Sequence, residues 1–198
     1  MLNPFIAEID GDLSRADAVV LVQTCRNRDV VEFGVGASTI LLSQCARSLV
    51  SLDTEQHWID RTRQKIDRLQ TITCRPEYVL IEKNCQELPK FGCDVLFNDG
   101  HSLLRVKFLQ QYWLEHVRES ILLHDARTHY ATNMIREMMS WYDKANYRKE
   151  DIWEHNPYVG CLRQIDWCPQ ESNMVVLHKR NCSLRYENWN LTERGGET

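Results

Sequence analysis

The chain has 198 residues, of which 43% are hydrophobic and 26% charged, so it suits a globular protein and not a disordered one. The formal net charge of −4 argues against a nucleic-acid partner, and no apolar run approaches the roughly 20 residues that a membrane helix needs. The N-terminal stretch lacks the basic start and long apolar core of a secretory signal, so we expect a cytoplasmic protein.

Apolar segments separated by turn signals predict a regular succession of helices and strands in the first third of the chain. The stretch LSRADAVVLVQTC predicts a first helix, with Ser14 as its N-cap and Asp17 near its first turn. The segments DVVEFGV and SLVSLDT predict two strands with a helix over residues 38–47 between them. A long amphipathic helix is then predicted over residues 56–70.

This long helix carries a basic cluster, RTRQKIDR. Arg61, Lys65 and Arg68 lie on one side of it, which we interpret as a solvated face and not as a phosphate-binding stripe. Four other residues recur at helical spacing and predict the packed face: Trp58, Thr62, Ile66 and Leu69.

Three further strands are predicted in the middle of the chain, from YVLIE, CDVLFNDG and SILLHDA. A helix from LLRVKFLQQYWLEHV separates the last two, and another is predicted over residues 128–146. The strands are apolar without strict alternation, which is typical of strands covered on both faces. The order of elements therefore predicts a doubly wound, Rossmann-like α/β fold with a mostly parallel sheet and helices on both faces.

The last third of the chain changes character. The segments VGCLRQIDW and NMVVLHKR flank residues 168–172, which predicts two strands joined as a hairpin. We expect a single domain over residues 1–180, followed by a polar tail over residues 181–198. The chain has eight cysteines but no CxxC pair, which argues against a zinc knuckle or a redox motif, and we expect reduced thiols.

Charged residues and glycines mark the ends of the first two predicted strands. Gly34 and Gly36 form a GxG turn, where we expect positive φ angles and a close approach of backbone to a ligand. Glu32 precedes this turn and could bind the amine of an amino-acid-bearing ligand or brace the turn. Asp53 ends the second strand, where a carboxylate commonly accepts hydrogen bonds from ribose hydroxyls, although it could instead cap the following helix.

These stretches together resemble the class I S-adenosylmethionine-dependent methyltransferases. The matching segments are EFGVGAS, LVSLDTE, FNDGH and LLHDA, in that order, within about residues 30–130. The spacing from DVLFNDGH to ILLHDA is similar to the small-molecule O-methyltransferase branch. The resemblance implies a seven-stranded sheet closed by an antiparallel terminal hairpin. It also implies an enzyme that transfers a methyl group from S-adenosylmethionine to a small-molecule acceptor, at a hydroxyl oxygen.

The resemblance also implies which residues hold the cofactor. Asp53 would accept the ribose diol, and Asp99 would face the sulfonium and the acceptor. Asn84 or Cys85 would contact the adenine, although both could be plain loop residues. The full implied set is Glu32, Gly34, Gly36, Ser38, Thr39, Asp53, Thr54, Asn84, Cys85 and Asp99.

Methyl transfer to a hydroxyl requires removal of its proton, by a general base or through a metal ion. A metal-free base, His101 or His124, is one interpretation. The candidate catalytic residues lie at the ends of the fourth and fifth strands: Asp99, His101, His124 and Asp125.

A divalent metal is the other interpretation of the same strand ends. Asp99 and Asp125 resemble the metal carboxylates of catechol-type O-methyltransferases. That family has an Asn directly after the second carboxylate, whereas this chain has Ala126. His101 or His129 could complete a mixed nitrogen and oxygen site, which would tolerate transition metals better than Mg²⁺.

The identity of the acceptor and the alternatives to a methyltransferase stay open at this point. An NAD(P)-dependent oxidoreductase is disfavoured because Thr39 stands where a third glycine belongs and a Ser/Tyr-x-x-x-Lys dyad is absent. A non-catalytic cofactor-binding module or partner subunit is a further alternative. Nor does the sequence decide whether the protein forms a homo-oligomer. Aromatic side chains that could stack on the acceptor, or belong to the core, include Phe5, Tyr130, Trp153, His155 and Tyr158.

Overall fold

A computed structural model describes residues 13–112, 116–125, 166–167 and 174–178 of the chain. The helices in these residues are α1 (Arg15–Cys25), α2 (Ala37–Ser43), α3 (Gln56–Ile66) and α4 (Ser102–Tyr112). The strands are β1 (Asp29–Phe33), β2 (Ser48–Asp53), β3 (Glu77–Leu80), β4 (Cys93–Asn98), β5 (Val117–Leu123), β6 (Asp166–Trp167) and β7 (Val175–His178).

The strands form one sheet in the order β3-β2-β1-β4-β5-β7-β6. The pairs among β1 to β5 are parallel, which confirms the predicted parallel α/β sheet. The direction of strand succession reverses between β1 and β4, and ligands of such sheets bind in the crevice beyond the carboxyl ends at this point. The strand β7 pairs antiparallel with β5 and β6, but residues 168–173 lie outside the described part, so the terminal hairpin stays a prediction.

Both faces of the sheet are covered, and the side chains of β1 alternate between them. Val31 and Phe33 belong to a buried cluster that includes residues of α4, and the ring of Phe33 stacks on Phe108 at 4.0 Å between centroids. Val30 belongs to a second cluster, which includes Leu21 of α1 and residues of α2. Burial on both faces explains why the strands read as continuous apolar runs.

The predicted start of α1 is confirmed. The Oγ of Ser14 accepts a hydrogen bond from the backbone N–H of Asp17 at 3.1 Å, and Oδ2 of Asp17 accepts one from the backbone N–H of Ser14 at 3.1 Å. This reciprocal pair satisfies two of the N–H groups that a helix start leaves unbonded. It also fixes the Asp17 carboxylate, which is 1% exposed, at the inner end of the helix.

The helices α2 and α3 end earlier than predicted because their last turns tighten. The N–H of Cys45 bonds to the carbonyl of Leu42, and the N–H of Leu69 bonds to the carbonyl of Ile66. These contacts span three residues instead of four and continue each helix only as a tight turn.

The predicted packed face of α3 is confirmed at Thr62 and Ile66 and is wrong at Trp58. Ile59, Thr62 and Ile66 are buried, whereas Trp58 is 40% exposed. The helix starts at Gln56 as predicted, and Ile59, not Trp58, is the first buried residue of its packed face. Trp58 therefore takes a position at the edge of the site described below.

Several sequence predictions fall outside the described residues: the helix over residues 128–146, the tail over residues 181–198, His129, and the aromatic set near the acceptor. Among the described helices, none combines the length and apolar character that crossing a membrane requires. The cysteines within the described residues are free thiols: Cys25, Cys45, Cys74, Cys85 and Cys93.

Candidate active site

The GxG turn after β1 lies against the end of β4. Gly34 has a φ of +102°, and a Cβ on it would lie 2.8 Å from the backbone carbon of Asp99. The N–H of Asp99 bonds to the carbonyl of Phe33 at 2.8 Å, which closes the contact. The positive φ predicted for Gly36 was wrong: its φ is 179°, an extended conformation that any residue adopts. A Cβ on Gly36 would meet no atom within 4 Å.

Asp53 joins the GxG turn to the loop before α3. Its Oδ2 accepts a hydrogen bond from the N–H of Val35 at 2.7 Å, and its Oδ1 accepts one from the N–H of Glu55 at 2.8 Å. The N-cap of α3 is Glu55, and no side chain caps this helix start. Asp53 therefore does not cap α3; its carboxylate is held beside the turn and lines the cavity described next.

A cavity of about 410 Å³ opens beyond the carboxyl ends of β1, β2 and β4. This volume falls in the range of small-molecule sites. The cavity collects most of the predicted site residues, including Gly34, Gly36, Ser38, Asp53, Thr54, Asp99, His101 and His124. One face of α3 also lines it, through Trp58, Arg61, Thr62 and Lys65.

Four predicted cofactor residues lie apart from this lining. Asn84 is exposed in the loop after β3. Cys85 packs against the core cluster on the α4 side. Thr39 is fully buried, and its Oγ1 accepts a hydrogen bond from the N–H of Gly36 at 2.9 Å. Glu32 is the fourth.

Glu32 braces the turn from below. Its side chain is fully buried and accepts hydrogen bonds from Oγ of Ser38 at 2.5 Å and from Oγ of Ser51 at 2.8 Å. Burial raises the pKa of Glu32 to about 7, although these hydroxyls oppose the shift. Of the two roles weighed from the sequence, the contacts of Glu32 correspond to bracing, because it holds Ser38, which itself lines the cavity.

Five charged residues meet where β4 and β5 end, and we call them the carboxyl-edge cluster: Asp17, Asp99, Arg105, His124 and Asp125. Nδ1 of His124 lies 3.0 Å from Oδ1 of Asp99, and Nε2 lies 3.6 Å from Oδ2 of Asp17. The Nη2 of Arg105 donates to Oδ1 of Asp99 and to Oδ2 of Asp125, both at 3.0 Å.

The environment of His124 favours its charged form. Burial acts to lower the pKa of His124, but the hydrogen bond with Asp99 and the charges of the neighbouring Asp17 and Asp125 carboxylates outweigh it and raise that pKa to about 10. An imidazole that is protonated at neutral pH cannot accept a proton from an acceptor hydroxyl. His101 also lines the cavity, at the start of α4.

Sequence reasoning missed Arg105 and the role of Asp17 in this cluster. Arg105 lies in α4 four positions after His101, the residue before the helix, a spacing that places both on one side of it. That spacing is the one signal in the sequence. Asp17 was identified only by its position in the first turn of α1, which says nothing about its distance from β5.

Several solved structures have a similar fold. A methyltransferase-like protein from Silicibacter pomeroyi is 12% identical with a TM-score of 0.53, over 86% of this chain and 88% of that one. A protein from Corynebacterium glutamicum is 11% identical with a TM-score of 0.55, over 90% and 85%. A tRNA (uracil-54, C5)-methyltransferase from Pyrococcus abyssi, in complex with S-adenosyl-L-homocysteine, is 14% identical with a TM-score of 0.50, over 83% and 38%.

No protein-family model matches the sequence, and no curated protein matches it. The structural similarity therefore establishes the fold: this chain has the Rossmann-like fold of the class I S-adenosylmethionine-dependent methyltransferases. The similar structures do not single out the small-molecule O-methyltransferase branch, because one of them acts on tRNA.

Proposed function

We propose that the protein is an S-adenosylmethionine-dependent methyltransferase that acts on a small-molecule acceptor, at a hydroxyl oxygen. The observation that supports this most directly is the Asp53 carboxylate, held at the end of β2 by two backbone N–H groups and lining the cavity beside the GxG turn. A carboxylate fixed at this place can accept hydrogen bonds from two adjacent ribose hydroxyls.

The residues around the cavity fit such a cofactor. The open space beside Gly36 would admit the methionine half, with Ser38 at the adjoining helix start and Glu32 bracing it from below. Thr54 follows Asp53 along the cavity wall and would flank the adenine edge. Asp99 would lie near the sulfonium, where its negative charge complements the positive charge of the cofactor.

We assign the proton of the acceptor hydroxyl to His101, which lines the cavity. When bound, S-adenosylmethionine would supply an electrophilic methyl group for transfer to the acceptor oxygen. His101 would take the proton, since His124 is held in its charged form by Asp17 and Asp99. The remaining task of the site is to hold the acceptor oxygen in line with the methyl carbon, which accounts for much of the rate in such displacements.

Two structural predictions and one on location accompany this function. We propose that β6 and β7 are joined as the terminal hairpin of a seven-stranded sheet, and that residues 1–180 form one domain with residues 181–198 as a tail. A cytoplasmic location is part of the same proposal.

Isothermal titration calorimetry with S-adenosylmethionine, S-adenosylhomocysteine and NAD⁺ tests the cofactor class. We expect micromolar binding of the first two and none of the third. Asp53→Ala should weaken S-adenosylmethionine binding at least about tenfold, because a charged acceptor of hydrogen bonds is removed. The control is Asp60→Ala, which removes an exposed carboxylate on the neighbouring helix α3 and should leave S-adenosylmethionine binding unchanged.

Each alternative has its own outcome in these titrations. Binding of NAD⁺ alone would identify an oxidoreductase. Equal binding by Asp53→Ala and the unchanged protein would refute the ribose assignment. A non-catalytic module would bind S-adenosylmethionine tightly but would methylate no compound in a panel of phenols, sugars and hydroxy acids.

A further inference from the structure

The ends of β4 and β5 present a geometry that could hold a metal ion. One ligand atom from each of Asp99, His124 and Asp125 lies within 4.8 Å of the others. Asp125 reaches this position because its backbone turns sharply after β5, with a φ of +58°. A left-handed conformation is costly for most residues and is tolerated best by Asn and Asp. At Asp125 this backbone conformation directs the carboxylate toward Asp99 and His124.

A guanidinium already lies between the two carboxylates. Besides donating to Asp99 and Asp125, Arg105 donates through Nε to the carbonyl of Gly100 at 2.7 Å and through Nη1 to the carbonyl of His124 at 3.4 Å. Its Nη2 also lies 3.1 Å from the carbonyl of Asp99. The side chain is only 12% exposed, so these contacts are shielded from water and hold it in one position.

This arrangement leaves one face of Asp99 for a ligand. The Oδ1 of Asp99 contacts both Nη2 of Arg105 and Nδ1 of His124. Within the described part of the chain, no hydrogen bond is formed by its Oδ2. Because Arg105 also holds the backbone carbonyls at the ends of both strands, it fixes the position of the carboxylate as well as its charge.

We propose that Arg105 is the built-in cation of this site: it takes the place that a divalent metal would occupy and positions Asp99 toward the cavity. A metal ion could bind Asp99 and Asp125 only by displacing the guanidinium. Otherwise two cations would lie side by side and compete for the same two negative charges. The positioning role rests on the proposed methyltransferase function, whereas the exclusion of metal does not.

Electron paramagnetic resonance titration with Mn²⁺ tests the exclusion directly. The unchanged protein should not bind Mn²⁺ below about 1 mM, and Arg105→Ala should bind it at least about tenfold more tightly, because both carboxylates are released from the guanidinium. Asp125→Ala in the Arg105→Ala background should abolish the gain. The matched control is Arg118→Ala, which removes a guanidinium that bridges two carboxylates at the opposite edge of the sheet and should gain no Mn²⁺ binding.

The positioning role has a separate readout. Arg105→Lys keeps the charge but not the fork of donors, so it should still exclude Mn²⁺ while kcat falls at least about tenfold with little change in KM. Micromolar Mn²⁺ binding by the unchanged protein that Asp125→Ala abolishes would overturn the proposal, and this arm decides even if Arg105→Ala fails to fold. A normal kcat in Arg105→Lys would overturn the positioning role. Failure of the unchanged protein to bind S-adenosylmethionine would instead count against the proposed function.

Discussion

The sheet carries a charged cluster at each end, and the two clusters differ in charge balance and in exposure to solvent. The amino-edge cluster consists of Asp29, Arg47, Asp94 and Arg118. It has as many guanidinium as carboxylate groups, each arginine contacts both aspartates, and the arginine side chains are 55–58% exposed. The carboxyl-edge cluster sets three carboxylates against Arg105 and His124, whose side chains are 12% and 6% exposed.

The difference separates a balanced, exposed cluster from a shielded cluster beside the cavity. The amino-edge charges are balanced and screened by water and salt, so they contribute modestly to stability. The carboxyl-edge cluster keeps one negative charge in excess when His124 is protonated, and two of its members, Asp99 and His124, line the cavity. Under the proposed function, a cationic sulfonium would complete that balance.

The largest contrast between the clusters should come from one isosteric change in each. Asp99→Asn removes the charge that faces the cavity, and we expect kcat to fall roughly 100-fold because the reacting groups lose their alignment and electrostatic support. Asp94→Asn makes the same change at the amino edge, beside Arg118, and should leave kcat within about twofold. Steady-state kinetics of both variants measures the contrast; similar losses would mean that the carboxyl-edge charge has no special role.

His124 should give the two edges different pH responses in stability. Its folded pKa of about 10 exceeds its ordinary value of 6.5, so its contribution is fully present below pH 6.5 and is lost as the pH rises toward 10. His124→Gln should therefore lower the free energy of unfolding by about 2 kcal/mol at pH 7 and by less at pH 9.5. Urea denaturation at both pH values measures this; an equal loss at the two would show that His124 is not charged in the folded protein.

The sequence predicted the parts of the site that depend on local pattern. A glycine turn after an apolar strand, or a carboxylate at a strand end, is a local feature, so Gly34 and Asp53 were predicted correctly in position. Arg105 was not, because its partners come from the ends of two strands, and only the packing of α4 across the sheet brings them together. For a similar reason the GxG pattern did not distinguish Gly34 from Gly36, since the approach of β4 decides which needs a positive φ.

The smallest effect should come from breaking the amino-edge cluster itself. The hydrogen bond from Arg47 holds the pKa of Asp29 well below its ordinary value, so this contribution is present above about pH 4 and is lost on acidification below it. Arg118→Ala leaves Arg47 on both aspartates and should cost about 0.5–1 kcal/mol at pH 7 and 50 mM salt, and less at 1 M NaCl, because exposed pairs are screened. Thermal or urea unfolding at the two salt concentrations measures it. A loss above about 2 kcal/mol that persists at 1 M NaCl would show that this edge, despite its exposure, is as tightly coupled to the fold as the edge that lines the cavity.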